Sequence, residues 1–324
     1  MPTTTGTPHK RKRRFERTTD PVPLQLVPRD IEILKAVATH RFLNSRQVQA
    51  LIPGSADKIL RRLDTLFHAG YLDRPRAQLD FFATGGGSKV MVYALADHGA
   101  RLLNAELGGA FPEVNWGHKN QSAGRPFIEH TIAIADTHVA LHVATRKRPD
   151  IERVAATALI AEFPQPPASL DRAFLQRVQV RHNDEVETIA VNPDLAFGLR
   201  SAAIGRRVYL VECDRGTMPV ARSTLKISSL MRKFKAYIAA YNARLHVRQF
   251  GWQSYRVLMI VNSPERAENA SLELQRITTA RNLRQLFYFA ESPVLATCDI
   301  LTHTWIDGNG QPQTLMEGAS RLVR

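Results

Sequence analysis

Two acidic segments, Asn192-Pro193-Asp194 and Glu212-Cys213-Asp214, bracket two apolar runs at residues 195–199 and 207–211, and they constrain how the middle of this chain folds. Laid side by side as neighbouring strands, the runs bring Asp194, Glu212 and Asp214 to one end of a sheet. Three converging carboxylates suit a divalent cation, Mg2+ or Mn2+. The lysine-rich helix expected next would face a phosphate, the arrangement that metal-assisted attack on a phosphodiester needs. The structural alternative makes Pro193-Asp194 a turn and pairs Glu212 and Asp214 with nearby arginines.

The chain has 324 residues, more than one typical domain, and its 44% hydrophobic content suffices for ordinary globular cores. Two folded domains are expected. No apolar stretch approaches the roughly 18 residues needed to span a bilayer, and the first twenty positions are polar and basic, so a cytoplasmic protein without a membrane segment is expected. Cys213 and Cys298 are too few for a disulfide framework or a four-cysteine zinc site. The formal charge of +14 points to a polyanionic partner. Residues 215–264 carry nine Lys or Arg and no Asp or Glu, so the segment after the acids offers a phosphate a favourable field.

Residues 1–27, with the block Lys10-Arg11-Lys12-Arg13-Arg14, read as a disordered basic arm. A first helix should start at Pro28-Arg29-Asp30 and carry Ile31, Leu34, Ala38 and Phe42 at helical spacing. Asn44-Ser45 caps a second helix that stops at Pro53-Gly54. Ser55 caps a third, with Ile59, Leu60, Leu63, Leu66 and Phe67 on one side and Lys58, Arg61 and Arg62 opposite. Gly70 ends it. A hairpin with arms at 71–74 and 90–95 and a Gly85-Gly86-Gly87 tip follows, then a helix over 97–107. This order, with the phrase Tyr93-Ala94-Leu95-Ala96-Asp97-His98-Gly99, resembles a winged helix-turn-helix over residues 28–108. The resemblance implies a third helix in the major groove of double-stranded DNA and a wing on its backbone. It assigns DNA contact to Lys58, Arg61 and Arg62 and to Arg74, Arg76 and Lys89. Such folds also serve as dimerisation modules, in which these residues would form a solvated face.

Residues 109–126 read as a linker, residues 127–290 as a second domain and residues 291–324 as an extension whose tail, from Asp307, is peripheral. In the second domain the patterns predict a helix over 127–145, a strand over 151–160 and hairpin strands at 178–182 and 186–191. Strands at 195–199 and 208–212 precede a helix over 224–246, with a stripe of Ile227, Met231, Phe234, Ile238, Tyr241 and Leu245. A strand at 255–261, a helix over 264–283 and a strand at 286–289 complete it. The whole is a chain of α+β and α/β character.

That order, with Pro193-Asp194 ahead of one strand and an acidic pair closing the next, resembles the core of the PD-(D/E)XK nuclease-like superfamily. The resemblance implies a restriction-endonuclease-like mixed sheet flanked by helices, with Asp194 as the first acid and Glu212 as the second. Asp214 stands where that pattern has its lysine, which leaves cleavage open and makes Lys226 or Lys233 the candidate for a displaced lysine. The combination of the two domains with Glu129-His130, Val191-Asn192-Pro193-Asp194, Val211-Glu212-Cys213-Asp214-Arg215-Gly216-Thr217 and Lys233-Phe234-Lys235-Ala236-Tyr237 resembles the replication-relaxation family of plasmids and integrative elements. The resemblance covers most of residues 28–290 and implies a DNA-binding accessory to mobile-element replication or relaxation. Replication proteins or a second copy of the chain would be further partners. An active metal-dependent DNA endonuclease and a winged-helix transcription regulator are the alternatives. His130 either approaches the acids or is satisfied on its own helix; His138 and His142 are assigned no role.

Overall fold

The computed structural model describes residues 14–20, 23–78, 90–109, 111, 114–203 and 205–316. The chain falls into two compact units that divide between Ala135 and Asp136. Both mix helices with sheet. Among the described residues no helix is long and apolar enough to cross a membrane.

The first unit opens on α1 (Pro28–His40), whose third residue, Asp30, accepts the Val27 N–H at 2.8 Å and so caps the helix it belongs to. Ile33, Leu34 and Val37 are its buried face, and Arg41, with φ of 65°, ends it. Phe42, expected on that helix, lies instead in β1 (Phe42–Asn44), because the left-handed turn at Arg41 redirects the chain before it. Asn44 and Gln47 form a reciprocal cap on α2 (Ser45–Leu51), and the Ser55 hydroxyl accepts the Lys58 N–H to start α3 (Ala56–His68). Gly70, at φ of 81°, turns the chain into β2 (Leu72–Asp73). β3 (Val92–Leu95) pairs antiparallel with both other strands, giving the order β1-β3-β2, and α4 (Asp97–Glu106) follows. The hairpin tip, with its glycine triplet and Lys89, lies outside the described residues.

Two further segments of this unit differ from the sequence reading. Part of the arm is ordered: Arg17 donates to the Phe67 and Leu72 carbonyls at 3.0 and 3.1 Å, the Thr18 N–H donates to His68 Nδ1, and Leu24 and Leu26 pack on the core. The basic block masked the apolar and hydrogen-bonding residues downstream of it. The expected linker contains α5 (Trp116–Gln121), with Trp116 buried beside Leu103, so glycines there do not interrupt the unit's packing. The next helix, α6 (Arg125–Arg146), runs across the division between units.

The second unit is built on a seven-stranded mixed sheet. Its early elements are β4 (Glu152–Val154), α7 (Ala156–Ala161), and the hairpin of β5 (Gln176–His182) and β6 (Glu185–Val191). β7 (Leu195–Ser201) and β8 (Gly205–Cys213) follow, then α8 (Leu230–Asn242) and α9 (Leu245–Phe250). β9 (Arg256–Val261), α10 (Pro264–Ile277), α11 (Arg281–Arg284), β10 (Phe287–Glu291), α12 (Ser292–Leu295), β11 (Trp305–Asp307) and β12 (Pro312–Gln313) complete it. The sheet order is β12-β11-β10-β9-β8-β7-β4, with β8, β9 and β10 parallel and the outer pairings antiparallel.

The period of two along each strand decides what faces α8. Val208 and Leu210 on β8, Val257 and Met259 on β9, and Phe287 and Phe289 on β10 join Met231, Phe234 and Tyr237 of α8 in one core, where the Phe234 and Phe287 rings meet edge to face at 5.1 Å. The buried face of α8 is broader than the expected stripe, since β5 and α10 also cover it. The helix starts at Leu230 rather than residue 224 because Ser229 caps it through the Arg232 N–H. Residues 151–160 break into β4 and α7 rather than one strand, and β5 and β6 form their own two-stranded sheet against α8 instead of joining the main one. The tail is not peripheral. Trp305 and Asp307 are fully buried, and the Tyr209 hydroxyl donates to the Leu315 carbonyl at 2.9 Å.

Candidate functional site

β7 begins where β8 ends, because the two strands are antiparallel with Leu195 opposite Val211. Asp194 therefore sits beside the end of β8, and its Oδ2 accepts the Cys213 N–H at 2.8 Å while its own N–H donates to the Val211 carbonyl at 2.9 Å. Strand parity puts Glu212 on the same face as Val208 and Leu210, against α8.

From α8, Lys233 and Tyr237 stand one helical turn apart and reach the same carboxylate. Lys233 Nζ is ion-paired with Glu212 Oε2, and the Tyr237 hydroxyl donates to Oε1 at 2.6 Å. Glu212 is 2% exposed. Burial pushes its carboxyl above the ordinary glutamate range, with Asp194 adding to the rise and Lys233 and Tyr237 opposing it. For Lys233 burial works against the charge, yet Glu212, Asp194 and Asp214 together hold its ammonium above the ordinary lysine range. The three acids therefore act on one amine.

Asp214 has a separate partner. Its Oδ2 accepts from Arg266 Nε of α10 at 2.6 Å, its Oδ1 accepts the Gly216 N–H at 3.1 Å, and the residue is 4% exposed. Arg266 also donates to the Met218 carbonyl, tying the loop after β8 to α10. Among the described residues no group of three or more His, Cys, Asp or Glu side chains is arranged to hold a metal ion. Both Glu212 oxygens and both Asp214 oxygens are engaged by protein donors. A cleft of about 120 Å3 opens beside this cluster and is lined by Asn192, Glu212, Ser229, Arg232 and Lys233.

Of the two lysines named from sequence, Lys233 joins the acids. Lys226 is exposed, ahead of α8, near Glu185, whose carboxylate accepts from Thr224 and the Leu225 N–H. Tyr237 and Arg266 were missed. Tyr237 carried a signal, its four-residue offset from Lys233, whereas Arg266 lies 52 residues from its partner and nothing local announces it. His138 and His142 both lie close to Arg153: its guanidinium is 2.8 Å from His138 Nε2, and burial with its charge lowers the His142 pKa.

In the first unit the six cations assigned to DNA separate into groups. Lys58, Arg61 and Arg76 are exposed. Arg62 is held by Asp30, a fully buried carboxylate that accepts Arg62 Nε at 2.8 Å and also pairs with its Nη2. The Arg74 side chain is 8% exposed; it donates to Asp64 at 2.8 Å and lies over the Phe67 ring at 4.1 Å. Both arginines are thus engaged in holding α3 to its neighbours, and Lys89 lies outside the described residues. Leu60, expected on the apolar side of α3, stands exposed at its margin, next to Arg61 and on the side away from Lys58.

The family model described as Replication-relaxation matches residues 34–252. No curated protein and no solved structure matches the chain.

Proposed function

The chain belongs to the replication-relaxation family, and from that membership we propose that it is a DNA-binding accessory in the replication or relaxation of a plasmid or integrative element. The first unit is read as a winged helix-turn-helix that docks on duplex DNA. Its order α1-β1-α2-α3-β2-β3 and its sheet order β1-β3-β2 support that reading. The observation that carries it is the outward face of α3, where Arg61 is exposed at the centre with Lys58 on one flank and Leu60 on the other. Lysine and arginine there would meet phosphates and base edges, and an exposed leucine in a major groove would meet a thymine methyl.

The second unit is read as a nuclease-like fold that holds DNA rather than cutting it. Glu212 is occupied by Lys233 and Tyr237, and Asp214 by Arg266, so a Mg2+ or Mn2+ ion would have to displace Lys233 before it could use Glu212. Metal-dependent endonuclease action is the second reading. One observation favours it: Lys233 lies on α8 against the second acid, where a displaced lysine would position a nucleophile.

Fluorescence anisotropy with a labelled duplex tests the first reading. Neutralising about four phosphates gives a log-log salt slope of roughly −3 to −4, and the Lys58→Ala and Arg61→Ala variants are each expected to reduce its magnitude by about one. Unchanged affinity and slope in both, with native melting, would remove α3 from the interface. Incubation of supercoiled DNA with Mg2+, Mn2+ or chelator tests the second. Metal-dependent nicking that disappears in Asp194→Asn and Glu212→Gln would replace the holding role with an enzymatic one. Intact DNA in every arm is the expected result.

A further inference from the structure

At the other end of β8 from Glu212, about five residues or roughly 17 Å along the strand, the second unit has a cavity of about 280 Å3. Arg206 and Arg207 come from the start of β8, Arg256 from the start of β9, Tyr288 from β10, and Trp252 from the loop between α9 and β9, with Tyr209 also in the wall. The parallel pairing of β8 with β9 fixes this grouping by placing Tyr209 opposite Arg256. Among the described residues that line it, none is Asp or Glu. Arg206 pairs with Glu162, outside the lining. Arg256 donates to the Tyr255 carbonyl at 3.0 Å and its guanidinium lies 6.0 Å from the centre of the Tyr288 ring. Trp252 is 4% exposed with its ring packed against Phe163, Phe174 and Phe250, and its indole N–H has no acceptor among the described residues.

Guanidinium groups take phosphate oxygens in a bidentate fork, and a buried indole N–H without a partner takes an acceptor such as a base carbonyl or ring nitrogen. A volume near the lower end of small-molecule pockets suits one nucleotide-sized ligand. We infer that this cavity is a binding site for a nucleoside phosphate, with Arg207, which also donates to the Tyr209 hydroxyl, and Arg256 holding the phosphoryl group and the Trp252 indole N–H donating to the base. The ligand is either a free nucleotide or the phosphorylated end of a DNA strand. The site is independent of α3: Lys58→Ala and Arg61→Ala, which weaken duplex binding, should leave this site's titration as it is.

Isothermal titration calorimetry of the full chain, with thymidine monophosphate, inorganic phosphate and a 5′-phosphorylated single-stranded oligonucleotide as probes, tests it. The mononucleotide should bind more tightly than inorganic phosphate. Arg207→Gln and Arg256→Gln should each weaken it at least tenfold, while Arg177→Gln, an exposed arginine on β5, should not. Trp252→Phe keeps an aromatic wall and should bind more weakly than the parent through loss of the indole N–H. An oligonucleotide that binds and is displaced by the mononucleotide identifies a strand end as the source; a mononucleotide that binds while the oligonucleotide is excluded identifies a free nucleotide. No binding of either at millimolar concentration, or parental affinity in both arginine variants with native melting curves, would overturn the site. Equal affinity for inorganic phosphate and mononucleotide would overturn its nucleoside part.

Discussion

Arg62→Ala is expected to destabilise the first unit by about 3 kcal/mol, the low end of the cost of stripping one partner from a buried ion pair. Asp30 is 0% exposed and holds two jobs, accepting the Val27 N–H at the start of α1 and receiving Arg62 from α3. The Arg62 side chain is 25% exposed, so solvent offsets part of the loss. Urea unfolding followed by circular dichroism measures it, and an unchanged midpoint would sink the idea. Asp30→Asn combined with Arg62→Ala should recover part of the loss, because the uncompensated charge is gone while an acceptor for Val27 remains. The result bears on DNA binding too: an Arg61, Arg62 double substitution would confuse a lost contact with a lost fold, so Arg61→Ala alone is the cleaner probe.

Lys233→Met should cost the second unit about 3 kcal/mol at pH 8 and distinctly less at pH 5. This is again the lower end of the cost of breaking a buried pair, since the Lys233 side chain is 32% exposed. The pH dependence follows from Glu212. Its folded pKa is raised by burial above the ordinary carboxylate value, so stability linked to this group is full below that ordinary value and is lost as pH rises through the folded one. Removing Lys233, which opposes the rise, carries the folded pKa further up and widens the window of loss towards neutral pH. At pH 5 the variant can bury a protonated Glu212 hydrogen-bonded to Tyr237; at pH 8 it must bury the anion. Lys233 itself, with a raised pKa, contributes fully below the ordinary lysine value and loses its contribution only as pH climbs above it. Unfolding free energies measured at both pH values give the comparison, and an equal loss at the two would exclude Glu212 as the source.

Strand ends and caps were legible in the sequence because they depend on neighbours. Asn44, Ser55 and Gly70 do what their local chemistry requires, and the antiparallel fit of β7 with β8 followed from two apolar runs with acids at their ends. Partners supplied from a distance were not legible. The sequence reading had two outcomes for the acids, convergence or pairing with arginine, and the structure divides them between residues: Glu212 shares an electrostatic environment with Asp194 and Lys233, while Asp214 goes to Arg266. Arg62 looked like a surface cation because the period of α3 places it opposite the apolar stripe; what claims it is Asp30 from another helix. The hairpin of β5 and β6 was legible as two strands but its separation from the large sheet was not, since strand propensity carries no information about which edge a strand joins. Short β11 and β12 lacked the apolar length that reads as a strand, although Trp305 anchors them.

The order of the large sheet bears on where this chain can be cut. The family match ends at residue 252, four residues before β9 begins, and β9 is the parallel neighbour of β8. A fragment trimmed to the matched region would strip β8 of its partner along the stretch from Tyr209 to Cys213, leaving a row of unpaired amides and carbonyls on a strand whose side chains are buried on both faces. Such an edge recruits other chains. The matched segment and the segment that keeps β8 paired are therefore different lengths of the same polypeptide: a fragment of the second unit has to include β9 to cover that edge, and has to run through Leu315 to keep the acceptor of the Tyr209 hydroxyl.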